Sequence, residues 1–363
     1  MRIERVDTSY YRLPLPLVGD AGHGRIETEE LVLVRLRAGG VEATGYAYTI
    51  GRGGRAIQAM VEHDLKPLLL ETSIAPDVES VEAVWRRLWR SVLYVGRGGL
   101  AAFAVAAVDI ALWDWLGKVE GRPLYRLLGG ASRPIPVYGS GVDLPLSLDD
   151  LLRQVETWLA KGYRAVKIKV GRPDPREDLE RVSAVRRRIG DGVDLMVDAN
   201  MGWTLEEALD RGRALEPFRL FWLEEPTIPE DVEGHARLAQ ELDARIAVGE
   251  SLHSVHEFAR YVRAGAVEVV QVDPVTVGGI TPWREVQALA AQHGLPMSSH
   301  YADEISAHLL AASHQPLYLE KHAFALDPYL IEPQRVEDGH VRPTETPGHG
   351  LRFDLDRLEP YRG

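Results

Sequence analysis

Three acidic residues follow short apolar runs at a constant spacing in the middle of this chain. Asp198, Glu224 and Glu250 lie 26 residues apart, in the segments LMVDAN, FWLEEP and IAVGES. A strand, a helix and two turns need about that many residues, so the spacing predicts successive βα units with the carboxylates on neighbouring strand ends. Because grouped carboxylates repel one another and are costly to desolvate, the pattern predicts a divalent cation among them.

The alternation of apolar runs and helical patterns continues around these residues and predicts an α/β barrel. The 363 residues of the chain accommodate a barrel of roughly 250 residues and a smaller domain. Helices such as DDLLRQVETWLAKG fit between most of the strands. The predicted strands are 135–139, 165–170, 194–198, 220–223, 246–249, 269–272, 296–299 and 317–320.

The chain before residue 130 has a different pattern. Alternating segments, VDTSYYRL, ELVLVRL and VEATGYAYT, predict strands, and helices are predicted over 54–70, 78–94 and 99–117. This predicts an α+β domain over 1–130 and a barrel over 131–325. The segment 326–363 is rich in Pro and Gly and is expected to be extended and to pack back on the first domain.

Composition narrows the possible partners. A net charge of −12 without a basic stripe excludes nucleic acid as the main partner. The stretch LAAFAVAAVDIALW at 100–113 is too short to cross a bilayer and contains Asp109, so we expect no membrane insertion. The start lacks the apolar core of a secretory signal, and the chain has no cysteine. Both features fit a cytoplasmic protein.

Two lysines stand out on the second predicted barrel strand, since only six of the 42 basic residues are Lys. Lys167 and Lys169 have the period-two spacing that directs both side chains to one face of a strand. Two ammonium groups near a metal depress each other's pKa, so one of them could serve as a base. The alternative, a surface pair, fits the apolar strand AVKIKVG less well.

The later strand ends also carry ionisable residues. Asp273 and His300 end the sixth and seventh predicted strands, close enough for the carboxylate to fix the imidazole tautomer and raise its basicity. Strands two and seven face each other, so a substrate between them would have a base on each side. Glu320 follows on the eighth strand. If burial keeps it protonated, it could donate to a developing oxyanion, although LEKHAF also fits a strand-to-loop transition.

Together these segments resemble the enolase superfamily, and within it the mandelate racemase group. The resemblance covers AAVDIALWDWLGK, the KIK strand, VDAN, WLEEPT, VGES, QVDPVTVGGITPW and SSHYADEISAHLL. It implies an α/β fold with a modified (β/α)7β TIM-like barrel, whose last strand lacks a full helix partner. It also implies an α+β capping domain that the C-terminal segment completes.

The resemblance implies a chemistry as well: abstraction of the proton α to a carboxylate, with Mg²⁺ as cofactor. The roles that it implies are metal ligands for Asp198, Glu224 and Glu250, opposed bases for Lys169 and His300, support for Lys167 and Asp273, an electrophilic acid for Glu320, and substrate binding for Asn200. A small-molecule carboxylate is the expected partner, and a homo-oligomer is expected.

Substrate choice in this group depends on a lid loop and on neighbours of the catalytic residues. Residues 18–25, VGDAGHGR, form a polar, glycine-rich lid candidate, and Tyr301 directly follows His300. A phenyl-binding pocket would need an apolar lid. We therefore take His23, Arg25 and Tyr301 as candidate contacts to a polyhydroxylated acid.

Three functions are open at this point. The favoured one is Mg²⁺-dependent dehydration of a sugar acid, and the second is racemisation or epimerisation of a 2-hydroxy acid by the same residues. A non-catalytic metal-binding protein of the same fold is the third. A cycloisomerase or an amino-acid epimerase is less favoured, because those branches usually carry a second Lys on the sixth strand, where this chain has Asp273.

Overall fold

The computed structural model describes residues 1–324 and 326–363 and begins with an α+β domain. Its three strands form one antiparallel sheet in the order β1-β2-β3. They are β1 (Ile3–Asp20), β2 (Gly24–Ala38) and β3 (Val41–Thr49). Helices α1 (Gly54–Met60), α2 (Lys66–Leu70), α3 (Val78–Ser91), α4 (Leu100–Glu120) and α5 (Leu124–Leu127) follow, with a π-helical turn at Val61–Leu65 between the first two.

Helix α4 is the centre of this domain. Its Ala-rich sequence lets the helix backbone approach strand β3 closely. Gly45 is required there, because a Cβ at this position would lie 2.1 Å from the carbonyl oxygen of Ala107. The helix is long and apolar enough to cross a membrane by length and composition, but 89% of its most apolar window is buried inside the protein. It is therefore a core helix, although at 21 residues it is longer than the apolar stretch 100–113 that the sequence indicated.

The rest of the chain forms the predicted barrel, in which parallel strands alternate with helices. The strands are β4 (Ile135–Ser140), β5 (Ala165–Lys169), β6 (Asp194–Asp198), β7 (Trp222–Glu224), β8 (Arg245–Val248), β9 (Val269–Val272), β10 (Met297–Ser299) and β11 (Leu319–His322). The helices are α6 (Leu148–Ala160), α7 (Pro175–Ile189), α8 (Leu205–Leu215), α9 (Val232–Glu241), α10 (Val255–Ala264), α11 (Ile280–Gln292) and α12 (Asp303–Ala311). Each predicted strand is present within two residues at either end.

Strands pair in the order β10-β9-β8-β7-β6-β5-β4-β11. The ring closes where the Leu317 amide donates to the Met297 carbonyl (2.7 Å) and the Ser299 amide donates to the Tyr318 carbonyl (3.1 Å). Helices α6 to α12 follow the first seven strands in turn. This is the (β/α)7β barrel that the resemblance implied.

Local sequence signals position these helices. Five of them begin at a side chain that accepts a hydrogen bond from a backbone N–H of the first turn, which satisfies a group that the helix leaves unpaired. These N-cap residues are Ser147, Asp174, Thr204, Asp231 and Ser254.

The barrel interior explains why the charged residues share one face. Tyr138, Ala165, Met196, Trp222, Ala247 and Val269 form a separate buried cluster inside the ring. Several of them lie two residues before a charged residue, as Ala165 precedes Lys167 and Trp222 precedes Glu224. Because side chains alternate along a strand, these charges also face the barrel axis, one layer above the apolar cluster.

The C-terminal segment contacts both domains. Strand β12 (His340–Val341) pairs antiparallel with β4 of the barrel. The His349 imidazole lies 2.7 Å from the Thr44 carbonyl, and the Gly363 amide donates to the Tyr10 carbonyl of the N-terminal domain. Short helices α13 (Leu355–Leu358), Asp327–Tyr329 and Glu359–Tyr361 complete the segment. The predicted barrel boundary at 325 falls on Ala325, outside the described residues.

Candidate active site

The three carboxylates come together at the carboxyl ends of β6, β7 and β8. Asp198 and Glu224 are paired directly across the two strands, and Glu250 follows β8. One oxygen from each of the three lies within 4.8 Å of the others. Indole and amide N–H groups of Trp222 and Gln271 each donate to Glu224 at 2.9 Å and fix its orientation. Three hard oxygen ligands at this separation fit Mg²⁺.

The lysine pair lies at one end of this carboxylate row. Lys169 is paired with Asp198 across β5 and β6, and its Nζ lies 2.6 Å from the Asp198 carboxylate. Lys167 Nζ contacts Glu224 and lies 3.0 Å from Glu320 and 3.5 Å from Asp198. Both lysines are buried.

The surrounding carboxylates shift the pKa values of both lysines upward, whereas a depression was expected beside a bound metal. Burial lowers the pKa of Lys169, but the Asp198 carboxylate outweighs it and the net shift is upward. The pKa of Lys167 is also raised, because Glu224 and Glu320 together outweigh the lowering effect of burial. On Asp198, the effect of burial is overcome by the two ammonium groups, which lower its pKa to about 2. A cation bound to the carboxylates would oppose the upward shift of the lysines.

The histidine lies at the other end of the row. His300 Nδ1 is 2.8 Å from the Asp273 carboxylate, and Nε2 is 3.2 Å from Glu250. Burial lowers the pKa of His300, but Glu250 and Asp273 outweigh it and raise it to about 10. Asp273 also accepts from the Val275 amide at 2.6 Å. The dyad therefore presents Nε2 toward the carboxylate row and anchors Nδ1.

Glu320 closes the ring between these two ends. It is fully buried, and its Oε2 accepts a 2.6 Å hydrogen bond from the Tyr301 amide. Burial raises its pKa, but Lys167 and His300 outweigh it and hold the pKa well below the usual range. The protonated form expected from burial is thus not supported, because nearby cations stabilise the carboxylate.

The predicted lid loop is instead the tip of a β-hairpin. Strands β1 and β2 extend to Asp20 and from Gly24, so the turn contains only residues 21–23. The Gly19 amide donates to Val142 at 3.0 Å, and the Leu144 amide donates back to Gly19 at 3.2 Å. These bonds fasten the hairpin to the barrel beyond β4. Strand pairing extended further than its glycine-rich sequence indicated.

The tip of the hairpin lies on the strand-end loops of the barrel. A Cβ at Gly22 would lie 2.1 Å from the Asn200 carbonyl oxygen, so this close approach needs glycine. The His23 ring nitrogen Nδ1 lies 3.2 Å from the Asp20 carboxylate. Asp20 is the main cause of an upward shift in the pKa of His23, and Glu250 adds to it. Arg25 is exposed and pairs with the exposed Glu27 at 3.3 Å.

The other predicted substrate contacts differ from each other. Asn200 is buried, and its backbone N–H donates to the Asp198 carboxylate at 2.8 Å. Its side-chain oxygen has no hydrogen-bond partner in residues 1–324 and 326–363. The Tyr301 hydroxyl donates to Glu29 of the N-terminal domain at 2.7 Å. It therefore joins the two domains, in place of the substrate contact predicted from sequence.

Two residues near the site, Tyr48 and His322, were not predicted from the sequence. The Tyr48 hydroxyl, from β3 of the N-terminal domain, donates to the Asp273 carboxylate and lies 3.4 Å from His300 Nδ1. His322 follows Glu320 by two residues, and its ring contacts Tyr301. Neither could be placed from its local sequence, because VEATGYAYT reads as an ordinary strand. The period-two spacing from Glu320 was the only available signal for His322.

A parallel barrel with a carboxylate row between a buried lysine pair and a His–Asp dyad is an arrangement typical of metal-dependent enzymes that act on carboxylates. The sequence model for the mandelate racemase / muconate lactonizing enzyme N-terminal domain matches residues 13–129. That for the enolase C-terminal domain-like family matches residues 150–357. The chain belongs to the mandelate racemase / muconate lactonizing enzyme family of the enolase superfamily, which confirms the predicted membership.

Relatives cover nearly the whole chain. A 3,6-anhydro-alpha-L-galactonate cycloisomerase from Streptomyces coelicolor is 45% identical over 98% of both chains. The structure of a racemase from Streptomyces coelicolor A3(2) with bound magnesium has a TM-score of 0.95 at 44% identity, covering 99% of this chain and 100% of the other. That of L-talarate/galactarate dehydratase from Salmonella typhimurium LT2, with Mg and L-lyxarohydroxamate, has a TM-score of 0.93 at 35% identity, covering 100% and 93%.

These similarities confirm the broad biochemical prediction. The protein is an enzyme of lyase or isomerase type that uses Mg²⁺ and acts on a small-molecule carboxylate. The residue geometry above is consistent with that cofactor, since the carboxylate row offers three of the hard oxygen ligands that Mg²⁺ prefers.

Proposed function

We propose that this enzyme removes the α-proton of a sugar acid and then expels the oxygen substituent from the β-carbon. The observation that carries the proposal is the position of the two bases. Lys169 contacts Asp198 at one end of the carboxylate row, and His300 contacts Glu250 at the other. A substrate bound over the row would have a basic nitrogen on each side.

Asp198, Glu224 and Glu250 would hold Mg²⁺, which would supply positive charge to offset the negative charge on the substrate carboxylate. Lys169 takes the α-proton in our proposal. Lys167, surrounded by Glu224, Glu320 and Asp198, places a second positive charge close to the same carboxylate. Asn200, whose side-chain oxygen has no hydrogen-bond partner among the described residues, is proposed to bond a substrate hydroxyl.

His300 acts on the leaving oxygen. Its Nδ1 is fixed by Asp273, which leaves Nε2 to deliver a proton. The electrons of the α C–H bond form the new C=C bond, the β C–O bond breaks, and the oxygen leaves with the proton from Nε2. The resulting enol tautomerises to a 2-keto-3-deoxy acid. With a free hydroxyl as leaving group the reaction is a dehydration.

Cycloisomerisation is the second candidate, and the 45% identical cycloisomerase favours it. In a 3,6-anhydro acid the oxygen on the β-carbon belongs to a ring, so the same elimination opens the ring without losing water. The sequence argument against a cycloisomerase, the absence of a second Lys at Asp273, loses its force beside this relative. The same two bases serve both reactions.

Incubation of the Mg²⁺-loaded enzyme with a panel of aldonic, aldaric and anhydro sugar acids tests the proposal. We expect a 2-keto acid from at least one of them, lost on treatment with EDTA and restored by Mg²⁺. Mass spectrometry separates the candidates, since dehydration lowers the mass by one water and ring opening leaves it unchanged. Lys169→Ala is the negative control.

The remaining alternatives have distinct outcomes. Exchange of the α-proton in D₂O with inversion, but no keto acid from any substrate, would favour the racemase or epimerase. An activity unaffected by Lys169→Ala would show that Lys169 does not remove the α-proton. Cytoplasmic location and homo-oligomerisation stay predictions.

A further inference from the structure

His322 shares a strand face with Glu320. Side chains two residues apart on a strand point to the same side, about 6.6–6.8 Å from each other along the strand. Glu320 contacts Lys167 in the site. His322 is therefore one step further out from the reacting centre along β11, toward the mouth of the barrel. Its neighbours include Glu320, Lys169 and His300, whose charges act on it.

Two aromatic rings hold the His322 ring. It meets Tyr301 edge-on at 5.2 Å and Phe324 edge-on at 4.2 Å, with interplanar angles of 82° and 80°. Edge-on packing on two sides restricts rotation of the imidazole. The ring is thus oriented in advance, as expected of a group that positions a ligand.

One nitrogen of the His322 ring is buried and lacks a hydrogen bond among the described residues. His322 Nδ1 is buried and has no partner in the part of the chain that the structure describes. By contrast, both ring nitrogens of His300 have carboxylates next to them. Buried polar atoms normally have a partner, so an atom of this kind beside an active site indicates one supplied by a ligand.

The imidazole is also neutral, because burial lowers its pKa to about 3. A neutral imidazole offers one donor and one acceptor, which matches a hydroxyl group. It does not offer the positive charge that a second carboxylate would require. The flanking aromatic rings suit the C–H groups of a sugar chain.

We propose that His322 hydrogen-bonds a hydroxyl at the end of the substrate remote from its carboxylate, and thereby selects polyhydroxylated acids over acids with an apolar tail. The inference rests on the proposed function for the identity of the reacting end. His322 is a specificity residue in this proposal and takes no part in the proton transfers.

The test uses pairs of probes: four-, five- and six-carbon aldonic acids, each beside its counterpart lacking the terminal hydroxyl. His322→Phe keeps an aromatic ring and removes the hydrogen bond, while His322→Asn keeps a polar group near Nδ1. We expect the wild type to prefer the hydroxylated acid at least 10-fold in kcat/KM. His322→Phe should reduce that preference to within about 2-fold, and His322→Asn should keep most of it.

Several outcomes would overturn the assignment. Preference retained in His322→Phe, an equal loss of kcat/KM for both members of each pair, or no wild-type preference would each do so. His293→Phe, on the exposed end of α11, is the matched control, and melting temperatures verify folding. If the wild type turns over no acid, the proposed function fails, and ligand-induced thermal shifts with the same pairs still test His322.

Discussion

The two ends of the carboxylate row are supported in different ways. At the lysine end, Lys167 and Lys169 are held by Asp198, Glu224 and Glu320, all from the barrel itself. At the histidine end, the N-terminal domain takes part. Tyr48 donates to Asp273, and Glu29 accepts from Tyr301, the residue next to His300.

The histidine end is therefore the half of the site whose hydrogen bonds depend on packing between the two domains. The lysine end is complete once β5, β6, β7 and β11 have taken their places in the barrel. The histidine end has its final geometry only when the N-terminal sheet is docked. We therefore expect substitution of Tyr48 to impair His300 chemistry and to leave the chemistry of Lys169 nearly intact.

The largest effects should come from the two bases themselves. Lys169→Ala and His300→Asn should each reduce kcat of the elimination by about 10³-fold or more. Exchange of the substrate α-proton in D₂O should be lost in Lys169→Ala but retained in His300→Asn, because only Lys169 removes that proton. Loss of exchange in His300→Asn alone would reverse the roles assigned to the two ends.

A smaller effect is expected at the contact between domains. Tyr48→Phe removes a hydrogen bond to a buried carboxylate, which contributes about 1.5–3 kcal/mol, and should lower kcat roughly 10-fold with little change in α-proton exchange. Tyr46→Phe is the matched control. Its hydroxyl, on the same strand, is buried without a hydrogen-bond partner in the described residues. Equal losses in both variants would show that the effect is structural.

The smallest effect on activity is expected for Glu29→Gln, which should act on stability. Burial raises the pKa of Glu29 to about 8, against the smaller opposing effect of its bond with Tyr301. Because the folded pKa is above the unfolded value of 4.5, the wild type loses stability as pH rises from about 4.5 to 8. The loss is on the order of a few kcal/mol.

Glutamine cannot ionise but can still accept from Tyr301. The melting temperature of Glu29→Gln relative to wild type should therefore rise between pH 5 and pH 8. The exposed Glu27→Gln serves as control and should follow the wild type. A constant difference between Glu29→Gln and wild type across this range would contradict a protonated Glu29 at the domain interface.

Prediction from sequence succeeded for the barrel and for its ring of charges. Strand β5 shows why: AVKIK is apolar enough to be a buried strand, and its period of two places Lys167 and Lys169 on one face. The 26-residue spacing in turn predicts that Asp198, Glu224 and Glu250 lie at corresponding ends of neighbouring strands. Both signals are local or periodic, so they can be read from the sequence.

Prediction failed where distant segments meet. The glycine-rich segment 18–25 forms strand ends and a short turn, because pairing in the hairpin and docking on the barrel outweigh local preference. The pKa directions of Lys169 and Glu320 depend on which opposite charge lies closest. The periodicity of the sequence contains no information about the distance between such charges.

Hydrophobic period and residue spacing are properties of the chain, and they are enough to predict the barrel, the N-terminal α+β region and the residues facing the barrel mouth. Tertiary packing is what brings Tyr48 and Glu29 to the histidine end and places His322 between Tyr301 and Phe324. These contacts join residues that are separated by up to 272 positions. Such contacts arise when the N-terminal sheet packs over the barrel and buries polar groups that then require partners.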